Sequence, residues 1–390
     1  MDGSRRLQAV SAYPFVRWEA ACRATAAGGI DVIRLDVGSP DLAPPARSID
    51  ALCAAARDPR SHGYPDPRGI PSLRQAIAAY YGRRFGVDLD PETQVVPLLG
   101  SKEGIVALSL ACVDPGDAVL VPDPAYAPYA RGAVLAGGEP VFLPLAEANG
   151  FRPDLAAIPE ATARRASVLW LNYPNNPTGA VADLAFLAEA VDFARAYDVL
   201  LCHDTAYADI VYDGYAAPSV LEVAGASEVA IEFNSISKTF NMAGWRVGMA
   251  VGSVVAVALL SKMTSNIDSG IFRPIQDAAA AAFSVDASWI ASRNAVYRER
   301  LSLLADALAA IGLEASVPRA TFYLWAHLPA SWRSEDFALR LLRETAISVA
   351  PGTFFGPGGE GSIRVAATES TERILEAARR VRALPRDWSR

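Results

Sequence analysis

The segment VAIEFNSISKTFNMAGWRVGMAVG, residues 229–252, joins two apolar runs through a polar stretch. The runs at 229–233 and 247–251 have the composition of strands that are buried on both faces of a sheet. Between them, Lys238 follows Ser235 by three residues and precedes Arg246 by eight. A lysine with hydroxyl and guanidinium groups nearby can pair with a phosphate while its amine stays reactive.

The same alternation of apolar strands and polar strand ends continues on both sides of this segment. Further strands are predicted at 119–121, 168–171 and 199–202, and helices at 105–112 and 184–197. Strands that alternate with helices predict an α/β domain with a mostly parallel sheet. Because ligands bind at the carboxyl ends of such strands, the polar residues that follow them should meet at one edge.

After about residue 268 the pattern changes. Helices are predicted at 274–283, 287–311 and 371–383, with strands near 321–325, 348–350 and 362–366. This arrangement is typical of a second, smaller α+β domain packed on the first.

Composition restricts the function further. The 390 residues are 52% hydrophobic, enough for two or three folding units, and the formal charge of -7 disfavours nucleic acid or anionic lipid as a partner. Four cysteines without short pairing predict a reduced cytoplasmic protein, and the N-terminus lacks a signal-peptide pattern. The apolar stretch at 247–260 is too short to span a bilayer, and the three histidines lack metal-ligand spacing, so neither a membrane nor a metal is expected.

Lysine is rare in this chain. Only Lys102, Lys238 and Lys262 occur, and the other 33 basic residues are arginine. An arginine-rich genome accounts for such a bias. A lysine that remains, however, can do what arginine cannot, which is to form a covalent bond with a carbonyl group.

Three other motifs carry polar groups at strand ends. Residues 100–102 (GSK) precede a predicted helix, whose free amides can hold a phosphate, although a plain strand-to-helix turn would look the same. NYPNNPTG, residues 172–179, fixes a loop with two prolines and a glycine, and presents Asn176. The strand VLLCHDTAY ends with Asp204 and Tyr207, and a buried carboxylate there needs a cationic partner such as a protonated pyridine.

In this order, the motifs GSKEG, PDPAY, NYPNNPTG, DTAY and SISKTFNMAGWR resemble those of fold-type I pyridoxal-phosphate enzymes of the class I/II aminotransferase group. The resemblance runs from LDVGSPD (35–41) through HGYPDPRGIPSLRQAIAAYY (62–81) to GPGGEGSIRVA (356–366). GSKEGI, SNIDSGIF, ATFYLWAHLP and PGTFFGPGGEG are most similar to bacterial LL-diaminopimelate aminotransferases and related broad-range transaminases. The resemblance implies a mostly parallel seven-stranded large-domain sheet flanked by helices, with a smaller α+β domain. The implied division is an N-terminal segment at 1–40, a large domain at 41–270 and a small domain at 271–390.

The resemblance also implies a role for each motif residue toward pyridoxal 5'-phosphate. Lys238 would bind the cofactor covalently and later move the proton, while Asp204 would pair with the pyridinium nitrogen. Asn176 and Tyr207 would bond the phenolic oxygen of the ring, and Tyr126 would stack on its face. The phosphate would be held by Ser101, Lys102, Ser235, Arg246 and, across a homodimer with shared active sites, by the partner subunit's Tyr64.

For the substrate, the resemblance implies that Arg364, with Asn176, clamps the α-carboxylate. A surface arginine is the alternative for Arg364, since arginines are plentiful. Gly38 would leave room for the substrate, and Tyr13 would belong to a segment that closes over the site.

The implied reaction transfers an amino group from an L-amino acid to a 2-oxo acid such as 2-oxoglutarate. LL-diaminopimelate, alanine and glutamate are the candidate donors. The distal end of the donor could be read by Lys102, Asn266, Asp268 or Ser269. Asp268 has two equal interpretations, pairing with a distal amine or capping a helix that begins near residue 271.

Two other functions are compatible with the same scaffold. One is an amino-acid oxidase, cyclase or β-lyase in a specialised pathway, acting on a basic or modified amino acid. The other is a ligand-sensing transcription regulator, but the acidic chain enters its fold within about 40 residues, without a DNA-binding helix-turn-helix extension.

Overall fold

The computed structural model describes residues 3–385 and 388–389, which form twelve strands and fifteen α-helices. The strands are β1 (Ile33–Arg34), β2 (Val95–Leu98), β3 (Ala118–Asp123), β4 (Glu139–Pro144), β5 (Ala166–Asn172), β6 (Leu200–Asp204), β7 (Ala230–Ser235), β8 (Gly248–Gly252), β9 (Tyr323–His327), β10 (Ile347–Ser348), β11 (Ala350–Pro351) and β12 (Ser362–Ala366). The helices are α1 (Arg5–Gln8), α2 (Pro14–Ala26), α3 (Ala46–Arg57), α4 (Pro71–Phe85), α5 (Ser101–Cys112), α6 (Pro128–Ala136), α7 (Glu160–Ala163), α8 (Leu184–Tyr197), α9 (Ala226–Val229), α10 (Ile236–Thr239), α11 (Val254–Thr264), α12 (Arg273–Ala282), α13 (Ala287–Ala310), α14 (Ser334–Thr345) and α15 (Thr371–Arg382).

The largest sheet has seven strands in the order β2-β8-β7-β6-β5-β3-β4. Pairing is parallel from β7 through β6, β5 and β3 to β4, whereas β8 runs antiparallel to both β7 and β2. The predicted α/β fold with a mostly parallel seven-stranded sheet is therefore confirmed.

Both faces of this sheet are buried, as the continuous apolar strands predict. Alternate residues of one strand enter opposite cores: Leu120 packs in one and Val121 in the other. The helices that cover the sheet have identifiable ends. For example, Asp183 caps α8 through the backbone N–H of Phe186, and Gly86 ends α4 in the left-handed region at φ 67°.

A third core lies outside this sheet. It joins the N-terminal helix α2 to α13, α14, α15 and the three-stranded antiparallel sheet β11-β12-β9. Strand β1 pairs in parallel with β10, so the N-terminal segment is tied to the second half of the chain.

The division at 1–40, 41–270 and 271–390 stays a prediction. The buried residues of α12 pack in the same core as the large sheet, which would move the second boundary beyond Phe283.

Several predicted boundaries are wrong in detail. Helix α5 begins at Ser101 rather than residue 105, because Gly100 at φ 93° turns the chain directly from β2 into the helix. Lys238 lies in the one-turn helix α10 and not on a loop. The strand expected at 348–350 is two short strands, β10 and β11. Within the described residues, no helix is long and apolar enough to cross a membrane.

Candidate active site

A cavity of about 430 Å³ lies at the carboxyl ends of the central strands. Thirteen residues are assigned to the cofactor, the α-carboxylate end of the substrate or the closing segment, and the wall contains twelve of them: Tyr13, Gly38, Ser101, Lys102, Tyr126, Asn176, Asp204, Tyr207, Ser235, Lys238, Arg246 and Arg364. The exception is Tyr64, whose side chain is 92% exposed and lies outside the wall. The convergence follows from the topology, since strand ends of a parallel sheet share one edge.

Lys238 projects into this cavity from α10, directly after β7. Its Nζ donates a hydrogen bond of 2.5 Å to the carbonyl oxygen of Gly38. Burial, together with the positive charges of Arg364 and Arg246, lowers the pKa of the amine to about 7, while Asp204 opposes them. An amine that is half neutral near pH 7 can act as a nucleophile and as a base.

Asp204 ends β6 and is almost fully buried. Its Oδ2 accepts a hydrogen bond of 2.8 Å from the hydroxyl of Tyr129, and its Oδ1 one of 3.1 Å from the backbone of Ala206. Burial raises the pKa of this carboxyl, and the hydrogen bonds from Tyr129 and Ala206 partly offset the rise. A cation bound in the cavity would stabilise the ionised form.

The opposite end of the cavity offers donors for an anion. Helix α5 begins at Ser101, so the first N–H groups of the helix are free to bind an external acceptor. The guanidinium of Arg246 occupies the space where a side chain at Gly100 would lie, so only glycine allows this approach. Ser235 completes the group on the neighbouring strand end.

Arg364 lies on β12 with only 3% of its area exposed. Its Nη1 donates to Oδ1 of Asn176 and its Nη2 to the carbonyl of Asp36, both at 2.7 Å. The guanidinium lies 4.1 Å from the ring centre of Tyr323, and its Nε has no partner among the described residues. A buried cation bonded only to neutral groups is suited to bind a carboxylate.

Tyr207 and Tyr323 connect Lys238 to Arg364. Their hydroxyls are 2.9 Å apart, and Lys238 Nζ lies 6.0 Å from the ring centre of Tyr207. Burial strongly raises the pKa of the Tyr207 hydroxyl, so it remains a hydrogen-bond donor. A side chain at position 38 would collide with the hydroxyl of Tyr323. Glycine at this position therefore keeps this side of the cavity open.

The N-terminal segment forms the mouth of the cavity. The Tyr13 ring lies between two cations, with Lys102 Nζ 4.3 Å and the Arg131 guanidinium 5.1 Å from its centre. Phe15 follows at 5.5 Å from Tyr13. The Lys102 side chain is thus directed at Tyr13, so any contact with a bound phosphate would come from its backbone.

The three other candidates for the distal end lie outside the cavity wall in this chain. Asp268 lines a separate small void with Glu103, whose carboxyl pKa is raised to about 7, first by burial and then by Asp268. Asp268 Oδ1 accepts a hydrogen bond of 2.6 Å from Gly270, and the following helix is capped at Phe272. The helix-capping interpretation of Asp268 is therefore wrong, because the helix begins two residues later than expected. Asn266 donates instead to the carbonyl of Lys262.

Sequence reasoning missed several residues of the site: Tyr129, Tyr323, Phe15, Arg131 and Glu19. Tyr129 follows Tyr126 by three residues, a spacing that places both on one face of α6 and its preceding turn, so this signal was available. The others are brought in by tertiary packing that no local pattern encodes.

No group of three or more histidine, cysteine, aspartate or glutamate side chains converges as a metal site within residues 3–385 and 388–389.

The chain matches proteins of known family over almost its whole length. The family model described as aminotransferase class I and II matches residues 30–381. The LL-diaminopimelate aminotransferase of Moorella thermoacetica is 48% identical over 382 residues, 98% of this chain and 98% of the relative. That of Desulforudis audaxviator is 50% identical over 379 residues, 97% of each chain.

Solved structures of similar sequence have the same fold as this chain. Substrate-bound BacF from Bacillus subtilis superposes with a TM-score of 0.93 and 36% identity, covering 98% of this chain and 97% of that chain. A probable N-succinyldiaminopimelate aminotransferase from Thermus thermophilus gives a TM-score of 0.89 and 40% identity, covering 95% and 99%.

Proposed function

The chain belongs to the class I and II aminotransferases, and we propose that it transfers an amino group from LL-diaminopimelate to 2-oxoglutarate. The family implies pyridoxal 5'-phosphate as the cofactor. The observation that carries the proposal is the convergence of Lys238, Asp204 and Arg364 on one cavity whose other end can hold a phosphate.

The donor set of the cavity fits this cofactor. Asp204 is a buried carboxylate without a directly bonded cation among the described residues, which suits a protonated ring nitrogen. The amides at the start of α5, Ser235 and Arg246 suit a phosphate, and Tyr126 offers an aromatic face between these ends. Asn176 and Tyr207 would bond the ring oxygen.

The bound cofactor supplies an electron sink that stabilises the charge left on the α-carbon when its proton is removed. Lys238 would hold the cofactor and, once released, move the proton, because its amine is half neutral near pH 7. Asp204 would pair with the ring nitrogen and favour its protonated form. Asp204 ends β6 and Lys238 lies on the short helix directly after β7, so both are held by backbone that is already ordered and little reorganisation is needed during the reaction.

The substrate would be held by its α-carboxylate on Arg364. Two of the guanidinium nitrogens bond to neutral oxygens, and the third, Nε, has no partner in the described chain. Phe15 and Tyr13 would cover the bound substrate and exclude water.

Two observations support LL-diaminopimelate as the donor. Relatives with this activity in their names are 45 to 50% identical over nearly the whole chain. The mouth of the cavity also carries charges of both signs, with Lys102 and Glu19 in its wall, as a distal end with a carboxylate and an amine requires.

We also propose a homodimer in which Tyr64 of each subunit reaches the phosphate of the other. Its 92% exposure leaves the side chain free for such a contact. A cytoplasmic location is proposed as well and is compatible with four free cysteines.

The test is a half-reaction panel with the protein loaded with pyridoxal phosphate. Each amino acid is offered without an oxo acid, and visible absorbance, the product mass and oxygen uptake are recorded. LL-diaminopimelate should convert the cofactor to its amine form and yield the matching 2-oxo acid. Conversion by alanine or glutamate alone would refute the proposed donor, and ammonia release or oxygen uptake would refute transamination.

A further inference from the structure

We propose that Glu19 binds the distal ammonium group of the donor and thereby selects amino acids that carry a second amine. The inference deepens the proposed function and rests on it for the orientation of the substrate, with its α-carboxylate on Arg364. Glu19 is one of the residues of the wall to which the sequence assigned no role.

The position of Glu19 follows from helix α2. Phe15 and Glu19 are four residues apart on this helix and so share one face, and both line the cavity. Phe15 lies near the carboxylate clamp, with its ring centre 5.9 Å from the guanidinium of Arg364. Glu19 is one helical turn farther along α2 and lines the same cavity as the clamp.

Glu19 belongs to a group of three charged side chains with Asp36 and Arg34, and Arg34 also lines the wall. Arg34 donates to both carboxylate oxygens of Asp36, at 2.8 and 2.9 Å, and through Nη1 to Glu19 Oε2 at 2.6 Å. One guanidinium thus faces two carboxylates, which leaves one net negative charge on the three side chains. Asp36 is fully buried, whereas the Glu19 side chain is 43% exposed, so the surplus charge is presented at Glu19.

The orientation of Glu19 leaves one oxygen available. Only Oε2 bonds to Arg34, and Oε1 has no hydrogen-bond partner among the described residues. Arg34 is itself held by Asp36, so the ion pair fixes the Glu19 carboxylate in place while the guanidinium is shared between two carboxylates. Such a preorganised acceptor loses little entropy when a cation binds.

Within the described part of the chain, the cavity wall has two acidic residues, Asp204 and Glu19. Asp204 lies at the floor and is assigned to the ring nitrogen, so Glu19 is the carboxylate that remains for a substrate amine. Lys102, whose Nζ lies 4.3 Å from the ring centre of Tyr13, supplies a positive charge to the same wall. The mouth is therefore complementary to an end group that carries both an ammonium and a carboxylate.

The experiment compares donors that differ only in the distal amine. LL-diaminopimelate is paired with L-2-aminopimelate, and L-lysine with L-norleucine, and kcat/KM is measured for each with the loaded wild type and Glu19→Gln. The wild type should prefer the amine-bearing member of each pair. Glu19→Gln should reduce kcat/KM for LL-diaminopimelate and lysine by about 10- to 100-fold and leave the other two within about twofold.

Glu335→Gln is the matched control. Glu335 forms an exposed ion pair of 2.7 Å with Arg17, also on α2, but lies outside the cavity wall. This variant should keep the wild-type preference. An equal loss for all four donors in Glu19→Gln would indicate a structural role and overturn the proposal, as would a wild type without preference in both pairs.

The outcome for Glu19 is separable from that for the proposed function. If the wild type does not use LL-diaminopimelate, the proposed donor fails, yet the lysine and norleucine pair still decides the role of Glu19. If LL-diaminopimelate is used but Glu19→Gln retains the full preference for the amine, the donor stands and the role of Glu19 is refuted.

Discussion

Lys238 and Asp204 at the floor of the cavity lie at the ends of two neighbouring strands, whereas Tyr13 and Glu19 at its mouth lie on or next to one N-terminal helix. Asp204 is buried and pairs with Phe233 in the sheet, and Lys238 lies in the one-turn helix that directly follows β7. The mouth is held by cation–π contacts and ion pairs between partly exposed groups. Contacts of the second kind contribute only about 0.5 to 1 kcal/mol each. The floor is thus built to fix the reacting groups, and the mouth can change with the substrate at little cost to folding.

The strongest test of this contrast is Lys238→Ala. Removal of the buried amine should lower kcat by about 10⁴-fold or more, because both the cofactor bond and the proton transfer depend on it. The rate is measured by absorbance in the half-reaction. Lys262→Ala removes an exposed lysine and should leave the rate unchanged. A Lys238→Ala protein that still reacts at near wild-type rate would show that the reaction does not depend on Lys238, and would contradict the role given to the floor.

The second test uses pH. The pKa of Lys238 is lowered from 10.5 to about 7, so its amine is mostly protonated below pH 7 and mostly neutral above it. At pH 7 its neutral fraction exceeds that of an ordinary lysine by about a thousandfold. The rate of cofactor incorporation into the apoprotein should therefore rise with pH with a midpoint near 7 and level off about one pH unit above it.

Arg364→Gln should move this midpoint to higher pH, since the positive charge of Arg364 helps to lower the pKa of Lys238. A rate that continues to rise toward pH 10 in the wild type would show that the amine is not perturbed.

The third test compares the effects on kcat of two substitutions at the floor, one at Asp204 and one at Tyr129. Asp204→Asn keeps the shape but removes the charge that pairs with the ring nitrogen, and kcat should fall by about 100- to 1,000-fold. Tyr129→Phe removes only the 2.8 Å hydrogen bond to Asp204 and should cost about tenfold. Steady-state kinetics with one donor gives both values. Equal effects of the two changes would contradict the separate roles given to them.

The smallest effect is expected at the mouth. Tyr13→Ala removes the ring between Lys102 and Arg131 and should raise the KM of the donor by up to about fivefold, with kcat nearly unchanged. Tyr13→Phe keeps the ring and should behave as the wild type. A loss in kcat that matches the Asp204 variant would mean that the mouth is part of the catalytic machinery.

The same contrast explains what the sequence could predict. Asp204, Tyr207 and Lys238 directly follow apolar strands, and the rule that parallel strand ends share an edge brings them together without further information. Glu19 lies within a helix, where only its neighbours across the fold decide which face reaches the cavity. Asp268 shows the opposite error, because an acidic residue near an expected helix start predicts a cap, whereas the helix begins at Arg273 and its N-cap is Phe272.

The pairing of β1 with β10 affects how the chain is made. Trp18 on α2 donates a hydrogen bond to Ser348, 330 residues later, so the helix that bears Phe15 and Glu19 cannot dock until almost the whole polypeptide has left the ribosome. At about 5 to 20 residues per second, the interval is roughly 15 to 65 s. Throughout it the first segment to be synthesised waits with its apolar face uncovered, and the residues that complete the mouth are among the last to reach their places.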